Sequence, residues 1–293
     1  YIVGELETEK SLIDDPSIPV RFYNYSFIRD QIMKKYRQEV SVPTIIDRAK
    51  KTDSTLEVGK ETHDREVITN YAGELIQHDS SHHRWSPYVN ERWCLITSID
   101  DYSRYLLYSD LVAREHRWSH IESLEAVWLR HGIPFSYYVD SHSIFRFIER
   151  RDSVWKKQCL KTDEADPQWK RVMNECRVKV TYALSPQAKG KIERPFRWLQ
   201  DRVVRTCARE NIRTVDAARD VLHYEVHRYN QHQIHSTTGE IPILRFERAI
   251  KEGQHLFRPF KVPPPFESTK DIFFIKEERT ANAYRKISID GIE

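Results

Sequence analysis

The sequence of 293 residues has few glycines, eight in all, and four cysteines. The scarcity of glycine argues against a glycine-rich phosphate-binding loop. The cysteines, at positions 94, 159, 176 and 207, are far apart and lack C-x-x-C spacing, so neither a disulfide framework nor a thiolate zinc site is indicated. No apolar run approaches the roughly 20 residues that cross a bilayer, and no signal-peptide pattern opens the chain. We therefore expect a soluble cytoplasmic protein without a membrane partner.

A strong net charge is also missing. The 47 Lys and Arg residues nearly balance the 44 Asp and Glu residues, which leaves a formal charge of +3. Taken alone, this balance lacks the basic excess that is typical of nucleic-acid-binding proteins. Three segments nevertheless carry a local excess, of +4 over residues 29–51, +5 over 189–209 and +3 over 245–261. These segments could neutralise phosphates, although a run of charge is most often a solvated face.

Enough apolar residues are present for sizeable cores, with 39% hydrophobic and 12% aromatic residues. The length suggests two or three modules. The chain begins at Tyr1 without Met, from which we expect a part of a longer protein.

Hydrophobic periodicity predicts helices at both ends of a region of strands. Two short helices within residues 25–51 form a helix-turn-helix candidate, and residues 51–63 look like a linker. Further helices are expected over 121–129, 192–210 and 214–230. Five runs predict strands: Gly73–His78, Trp93–Ile99, Tyr105–Leu111, Phe135–Val139 and Lys179–Leu184. Three strands in succession, followed by strand–helix alternation, predict an α/β fold with a mixed sheet flanked by helices.

The C-terminal region changes character again. Pro259–Pro265 is rich in proline and resembles a semi-rigid linker. Ile272–Lys276 and Arg285–Ile289 follow it and predict strands of a small β module.

Three carboxylates stand at positions that are suitable for catalytic or metal-binding residues. Asp79 and Asp140 each follow an apolar strand, where α/β sheets open their ligand crevice, and two adjacent strands would bring them together. Glu193 lies in the first turn of its helix, since Pro195 prevents the helix from beginning much before Lys191. Taken singly, each carboxylate is more often a turn, cap or helix-dipole residue. Three hard oxygen ligands together suit Mg²⁺ or Mn²⁺ and fit two-metal phosphoryl transfer.

Several motifs resemble those of DDE transposases of bacterial insertion sequences, which are related to retroviral integrases. They are Asp79 with Trp85, IDDYSRY at 99–105, YVDSHSIF at 138–145, SPQAKGKIE at 185–193 with LQDR at 199–202, and Tyr229-Asn230 with His235 and TGEIP at 238–242. The match covers roughly residues 70–250. The sequence departs from the family's pattern in two places. The interval between Asp140 and Glu193 is long, at 52 residues, and includes a charged insertion around 150–166. Ser141-His142 follows Asp140, where many relatives have Asn-Gly.

The resemblance implies an RNase H-like mixed five-stranded core whose metal-binding and catalytic triad is Asp79, Asp140 and Glu193. The triad would hold two Mg²⁺ or Mn²⁺ ions and no zinc. The partners would be double-stranded DNA, as terminal inverted repeats and target, and further copies of the chain in a synaptic complex at the bacterial nucleoid. The expected domains are a helix-turn-helix region and linker over 1–62, the core over 63–212, a helical extension over 213–258, and a linker with the start of a small β-barrel over 259–293.

DNA contacts are expected from two helices. Thr44, Arg48 and Lys51 share one face of the second helix of the helix-turn-helix candidate and could enter a major groove, the alternative being a helical bundle without groove contact. Around Glu193 the expected DNA-binding residues are Lys189, Lys191, Arg194, Arg197 and Gln200, of which Arg197 and Gln200 correspond to places that contact the DNA end in relatives.

Other aspartates and histidines could compete as metal ligands, but we expect them to have other roles. Asp100 and Asp101 are expected to shape a hairpin turn. His78, His82 and His83 are expected to face solvent or DNA, since no second metal-binding group stands at suitable spacing.

Two other functions stay open on the sequence alone. The chain could be a domesticated DNA-binding protein with a silent core, or another RNase H-like nuclease such as a junction resolvase.

Overall fold

A computed structural model describes residues 1–51, 69–140, 168–182 and 190–275, with the backbone alone at residues 190 and 191. The chain begins with three helices, α1 (Ile2–Asp14), α2 (Tyr25–Tyr36) and α3 (Val42–Lys51). Asn24 caps α2 by accepting a hydrogen bond from the backbone N–H of Phe27, and Arg37 ends it in the left-handed conformation. A small core joins the three helices through Leu6, Ile28, Ile32, Ile45 and Ala49.

The sequence predicts α2 and α3 correctly, whereas it gave no indication of α1. The predicted linker lies almost entirely outside the described residues. Recognition of DNA by α3 stays a prediction.

A mixed sheet of five strands forms the centre of the described part of the chain. The strands are β1 (Ile76–His83), β2 (Trp93–Asp100), β3 (Leu106–Val112), β4 (Ser136–Val139) and β5 (Lys179–Tyr182). Their spatial order is β3-β2-β1-β4-β5, with antiparallel pairing from β1 to β3 and parallel pairing of β1, β4 and β5. This sheet, flanked by helices, confirms the predicted RNase H-like α/β core.

The first strand differs from its prediction. It was expected to end at His78, but it continues to His83, so Asp79 lies within the strand rather than after it. The polar residues 80–83 pair with residues 93–96 of β2, which is buried along its whole length. The pairing partner, rather than apolar alternation within β1 itself, extends this strand.

Helices cover both faces of the sheet. On one face, α4 (Arg117–His131) and α5 (Gln168–Glu175) enclose a core that includes Ile76, Trp128 and Trp169. On the other face, α6 (Gly190–Arg209) and α7 (Val215–His232) pack against Trp93 and Leu95. A further helix, α8 (Pro242–Lys251), contributes Phe246 to the first core.

Buried ion pairs join α1 to α6. Glu9 pairs with Arg205 and Arg209, and Glu5 pairs with Arg209 at 2.8 Å. The side chains of Glu9 and Arg205 are both 0% exposed. Because unpaired charges are costly to bury, these pairs fix the position of α1 on α6. We refer to these four residues as the α1–α6 interface.

The same helix also holds α2. Arg202 donates to Asp30 at 2.8 Å and to Ser26 at 3.0 Å, and its guanidinium stacks on Trp198 with its carbon 4.4 Å from the ring centroid. All three arginines in the C-terminal half of α6 are therefore committed to contacts within the protein.

The C-terminal segment departs from the predicted β module. Residues 272–275 form a turn and bends after a short 3-10 helix, Thr269–Asp271, and not a strand. Ile272 and Phe273 are buried in the core beside Trp128, because this segment folds back onto α4. The rest of the predicted module, including Arg285–Ile289, lies outside the described residues.

Across the described ranges, no helix combines the length and apolar character needed to cross a membrane.

Candidate active site

The strand register brings Asp79 and Asp140 to the same level of the sheet. In the parallel pairing of β1 and β4, Ile76 is opposite Tyr137 and Gln77 is opposite Tyr138. Continuing this register places Asp79 beside Asp140, which directly follows β4. Neighbouring strands lie about 4.8 Å apart, so the two backbones are close at this point. Both residues are half-buried.

Alternation along β1 tells which face of the sheet carries these carboxylates. Ile76 and His78 point into the core beneath α4 and α5. Asp79 is therefore directed to the opposite face, on which α6 lies, because successive side chains of a strand alternate. Ser81, two residues further, accepts a hydrogen bond from Gln200 of α6 at 3.0 Å, which agrees with this assignment.

Glu193 approaches the same face of the sheet from α6. It lies in the first turn of that helix, as predicted, and seven residues before Gln200, a separation of about 10 Å along the axis. Ile192 and Phe196 anchor this end of α6 in the core. The side chain of Glu193 is 44% exposed and pairs loosely with Arg197, with 3.7 Å between Nη2 and Oε2. The helix that carries Glu193 thus covers the face of the sheet to which Asp79 is directed.

The basic residues near Glu193 differ in their surroundings. Arg197 is exposed, and Arg194 donates to the Thr237 hydroxyl at 2.9 Å. Gln200 contacts Ser81, and this bond holds α6 against β1. Lys189 and the side chain of Lys191 lie outside the described residues.

The residues expected to read DNA from α3 lie on its exposed side. Thr44, Arg48 and Lys51 are all exposed, opposite the buried Ile45 and Ala49. Thr44 shares a hydrogen bond with Ser41, and Lys51 pairs with Asp47 at 2.8 Å. The arrangement is compatible with both the groove-binding and the helical-bundle interpretation.

The count of positive charge over 189–209 overstates the charge available to a partner. Arg202, Arg205 and Arg209 are buried or nearly so, and each pairs with carboxylates of α1 or α2. In the third basic segment, Arg245 and Arg248 both pair with Glu240. Sequence counting missed these pairings because these acidic partners lie outside the basic segment that contains each arginine.

The hairpin between β2 and β3 confirms the structural interpretation of its two aspartates. Asp100 is fully buried and accepts from the backbone N–H groups of Gly73 and Ser103, at 2.8 and 2.9 Å. Asp101 accepts from Gln77 at 2.6 Å and from Arg104 at 3.0 Å.

The expectation for the histidines is wrong for His78. This ring is fully buried, with Nδ1 2.8 Å from the Ser98 hydroxyl and Nε2 2.9 Å from Nδ1 of His120. His83 is partly buried against Trp85, and burial lowers its pKa. Only His82 is exposed, and it lies beside Glu115. Contacts of these histidines with His120 and Glu115 are not predicted from the sequence, because the two residues are distant from them along the chain.

Comparison with known proteins relates the chain to transposases. A protein of Sinorhizobium fredii named "Putative transposase y4bF" is 29% identical over 218 residues, which are 74% of this chain and 43% of the relative. The transposase for insertion sequence IS1202 of Streptococcus pneumoniae is 27% identical over 237 residues, 76% of this chain and 49% of the relative. The resemblance to insertion-sequence transposases is thus confirmed, and the chain spans less than half the length of each relative. No protein-family model matches the chain.

Solved structures with a similar backbone are retroviral integrases. The HTLV-2 integrase catalytic core domain in complex with magnesium is 14% identical with a TM-score of 0.44, over 62% of this chain and 99% of that one. The simian T-cell lymphotropic virus intasome in complex with the PP2A regulatory subunit B56 gamma is 13% identical with a TM-score of 0.47, over 79% and 73%. These values describe a distant likeness.

Proposed function

We propose that the protein is a DNA transposase that cleaves DNA at the ends of a mobile element and joins the freed 3′-OH to target DNA. The observation that carries the proposal is the common level of Asp79 and Asp140 on adjacent parallel strands, with Glu193 on the helix that covers the same face. The similarity to two insertion-sequence transposases supports it.

The donor set at this face fits a hard divalent cation. All three candidate ligands are carboxylates, the ligand type that hard divalent cations prefer. Asp79, Asp140 and Glu193 would hold two Mg²⁺ or Mn²⁺ ions, whose chemistry as a pair is to activate the attacking oxygen and stabilise the leaving oxygen.

Other residues of the chain would position the DNA strand. Arg197 is exposed one turn after Glu193, where its guanidinium could pair with a phosphate in place of the loose contact with the glutamate. Gln200 would act indirectly, since its bond to Ser81 holds α6 at a fixed place on β1. Lys189, Lys191 and Arg194 would add phosphate contacts at the start of this helix.

The central test replaces one carboxylate without changing its size. In Asp140→Asn, we expect Mg²⁺-dependent cleavage of an oligonucleotide carrying the element's end to be lost, because the amide is a poor ligand for a hard cation. Binding of the same oligonucleotide, measured by fluorescence anisotropy, should persist. Asp216→Asn is a suitable control, since it makes the same replacement at an aspartate that is 81% exposed on α7.

The outcomes separate the candidate functions. Retained strand transfer in Asp140→Asn would refute the assignment of the carboxylates. Binding without Mg²⁺-dependent cleavage by the unaltered protein would favour a domesticated DNA-binding protein. Nicks without strand-transfer products would favour another RNase H-like nuclease, such as a junction resolvase.

A second experiment addresses the DNA interface. We expect Arg197→Glu and Arg48→Glu each to weaken binding of end DNA about tenfold. Each should also reduce the dependence of the affinity on salt concentration by the equivalent of about one phosphate contact. Arg213→Glu, at an exposed position between α6 and α7, serves as the matched control. Equal weakening in all three variants would contradict this map of the interface.

Transposition joins two ends of an element, so the proposal includes an assembly of two or more copies on double-stranded DNA at the nucleoid. Mass photometry of the protein with and without end DNA tests it, and a monomer in both conditions would contradict it.

A further inference from the structure

A cluster of three possible metal ligands lies on the sheet face opposite to the carboxylates. We name it the His82–Cys94–Glu115 cluster. One ligand atom from each residue lies within 4.8 Å of the other two. His82 and Cys94 are direct partners in the antiparallel pairing of β1 and β2, so their side chains share a face. Glu115 joins them from the segment between β3 and α4.

The distances within the cluster suit a tetrahedral ion. His82 Nε2 and Glu115 Oε2 are 3.6 Å apart. Two ligands of a zinc ion, with bonds of about 2.0–2.3 Å, lie about 3.3–3.8 Å from each other. A small rotation of the half-exposed His82 side chain can shorten its distance to Cys94, and the ligand atoms of Cys94 and Glu115 already lie within 4.8 Å of each other. The ion would therefore need little movement of the backbone.

A chain of buried hydrogen bonds fixes the orientation of the Glu115 carboxylate. Its other oxygen, Oε1, lies 2.9 Å from Nε2 of His120, and Nδ1 of His120 lies 2.9 Å from Nε2 of His78. His78 in turn contacts the Ser98 hydroxyl. Both rings are fully buried, so the carboxylate is held in one orientation. Hydrogen-bonded partners of this kind orient the ligands of protein metal sites.

We propose that His82, Cys94 and Glu115 bind a zinc ion, with the fourth position open to water. One nitrogen, one sulfur and one oxygen ligand favour a borderline-soft metal over Mg²⁺. This proposal departs from the sequence-based expectation of no zinc. The ion would tie the end of β1 to β2 and to the start of α4, behind the face that carries Asp79.

Cobalt provides the test, because Co²⁺ replaces zinc and its bond to a thiolate gives a charge-transfer band in the near ultraviolet. The full chain carrying Cys159→Ser is titrated with Co²⁺ in millimolar Mg²⁺, which occupies the carboxylate face. We expect one equivalent to bind with a thiolate band, and zinc to displace it. No thiolate band at one equivalent would overturn the proposal.

Two pairs of variants locate the ion. The band should vanish in Cys94→Ser and persist in Cys207→Ser, which alters another buried cysteine. His82→Gln should weaken cobalt binding at least about tenfold, whereas His83→Gln should not. If Cys94→Ser does not fold, the His82 pair decides, since His82 is half-exposed and its replacement leaves the core intact. Unchanged affinity in His82→Gln would overturn the proposal.

Discussion

The buried carboxylate of Glu9 gives a quantitative test of how the N-terminal helices are attached to the core. Glu9→Gln keeps the size of the side chain but removes the charge that compensates Arg205 and Arg209 in the α1–α6 interface. Removal of one partner from a buried ion pair usually costs about 3–5 kcal/mol.

The structure indicates a value at or below the lower end of that range. Without the Glu9 charge, Arg205 still contacts Asp201 at 2.8 Å and the Phe22 carbonyl at 2.7 Å. Arg209 keeps its 2.8 Å contact with Glu5. We therefore expect Glu9→Gln to lower the free energy of unfolding by about 2–3 kcal/mol.

Urea unfolding followed by tryptophan fluorescence measures the loss, and hydrogen exchange should show that α1 loses protection first. The control is Asp47→Asn, which breaks an ion pair whose side chains are 64% and 63% exposed and should leave the urea midpoint nearly unchanged. The double variant Glu9→Leu with Arg205→Met should regain most of the stability, since apolar residues can replace a buried ion pair. Equal effects of Glu9→Gln and Asp47→Asn would refute this reasoning.

Two further predictions concern stability. Gly132→Ala should lower the free energy of unfolding in urea by about 2–4 kcal/mol, since φ is +94° and an added Cβ would lie 2.5 Å from the Arg258 carbonyl oxygen. Gly239→Ala, at φ +69° with open space around it, should cost about 1 kcal/mol. Equal losses in the two variants would contradict the predicted steric clash. His235 has its pKa lowered to about 4, first by burial and then by Arg104 and Arg194. Because the folded protein favours the neutral His235 ring, the contribution of this ring to stability is complete above pH 6.5 and is lost as the pH falls towards 4. The free energy of unfolding should fall by about 1–2 kcal/mol over this range, after allowance for solvent screening. A pH dependence of unfolding that is unchanged in His235→Gln would contradict this.

The sequence predicts the elements whose own residues specify them. The buried β2 and the amphipathic α6 carry their pattern locally, so their positions are predicted to within two residues. α1 escapes detection because its buried face includes Glu5 and Glu9, which look like surface residues until the arginines of α6 are placed beside them. The second half of β1 is missed for a similar reason, since β2 supplies its pairing.

The carboxylate site and the His82–Cys94–Glu115 cluster also differ in how well they can be predicted from the sequence. Adjacent strand ends allowed the sequence to bring Asp79 and Asp140 together, and the register agrees with that expectation. The His82–Cys94–Glu115 cluster could not be predicted, because its residues are 12 and 21 positions apart along the chain and meet only in the folded structure. A search of cross-strand pairs for mixed His and Cys partners would have found its first two members.

The attachment of the N-terminal helices to α6 has a geometric consequence for DNA. α6 has 20 residues and is about 30 Å long, with Glu193 in its first turn and Arg209 at its end. If α3 reads bases and Glu193 serves the scissile phosphate, their separation is set by this helix, since buried charges hold α1 and α2 to its far half. From Glu193 to Arg209 the helix spans about 24 Å, which corresponds to about seven base pairs at 3.4 Å each. Cleavage should keep a constant distance from the bases that α3 contacts, even when the sequence between them is changed.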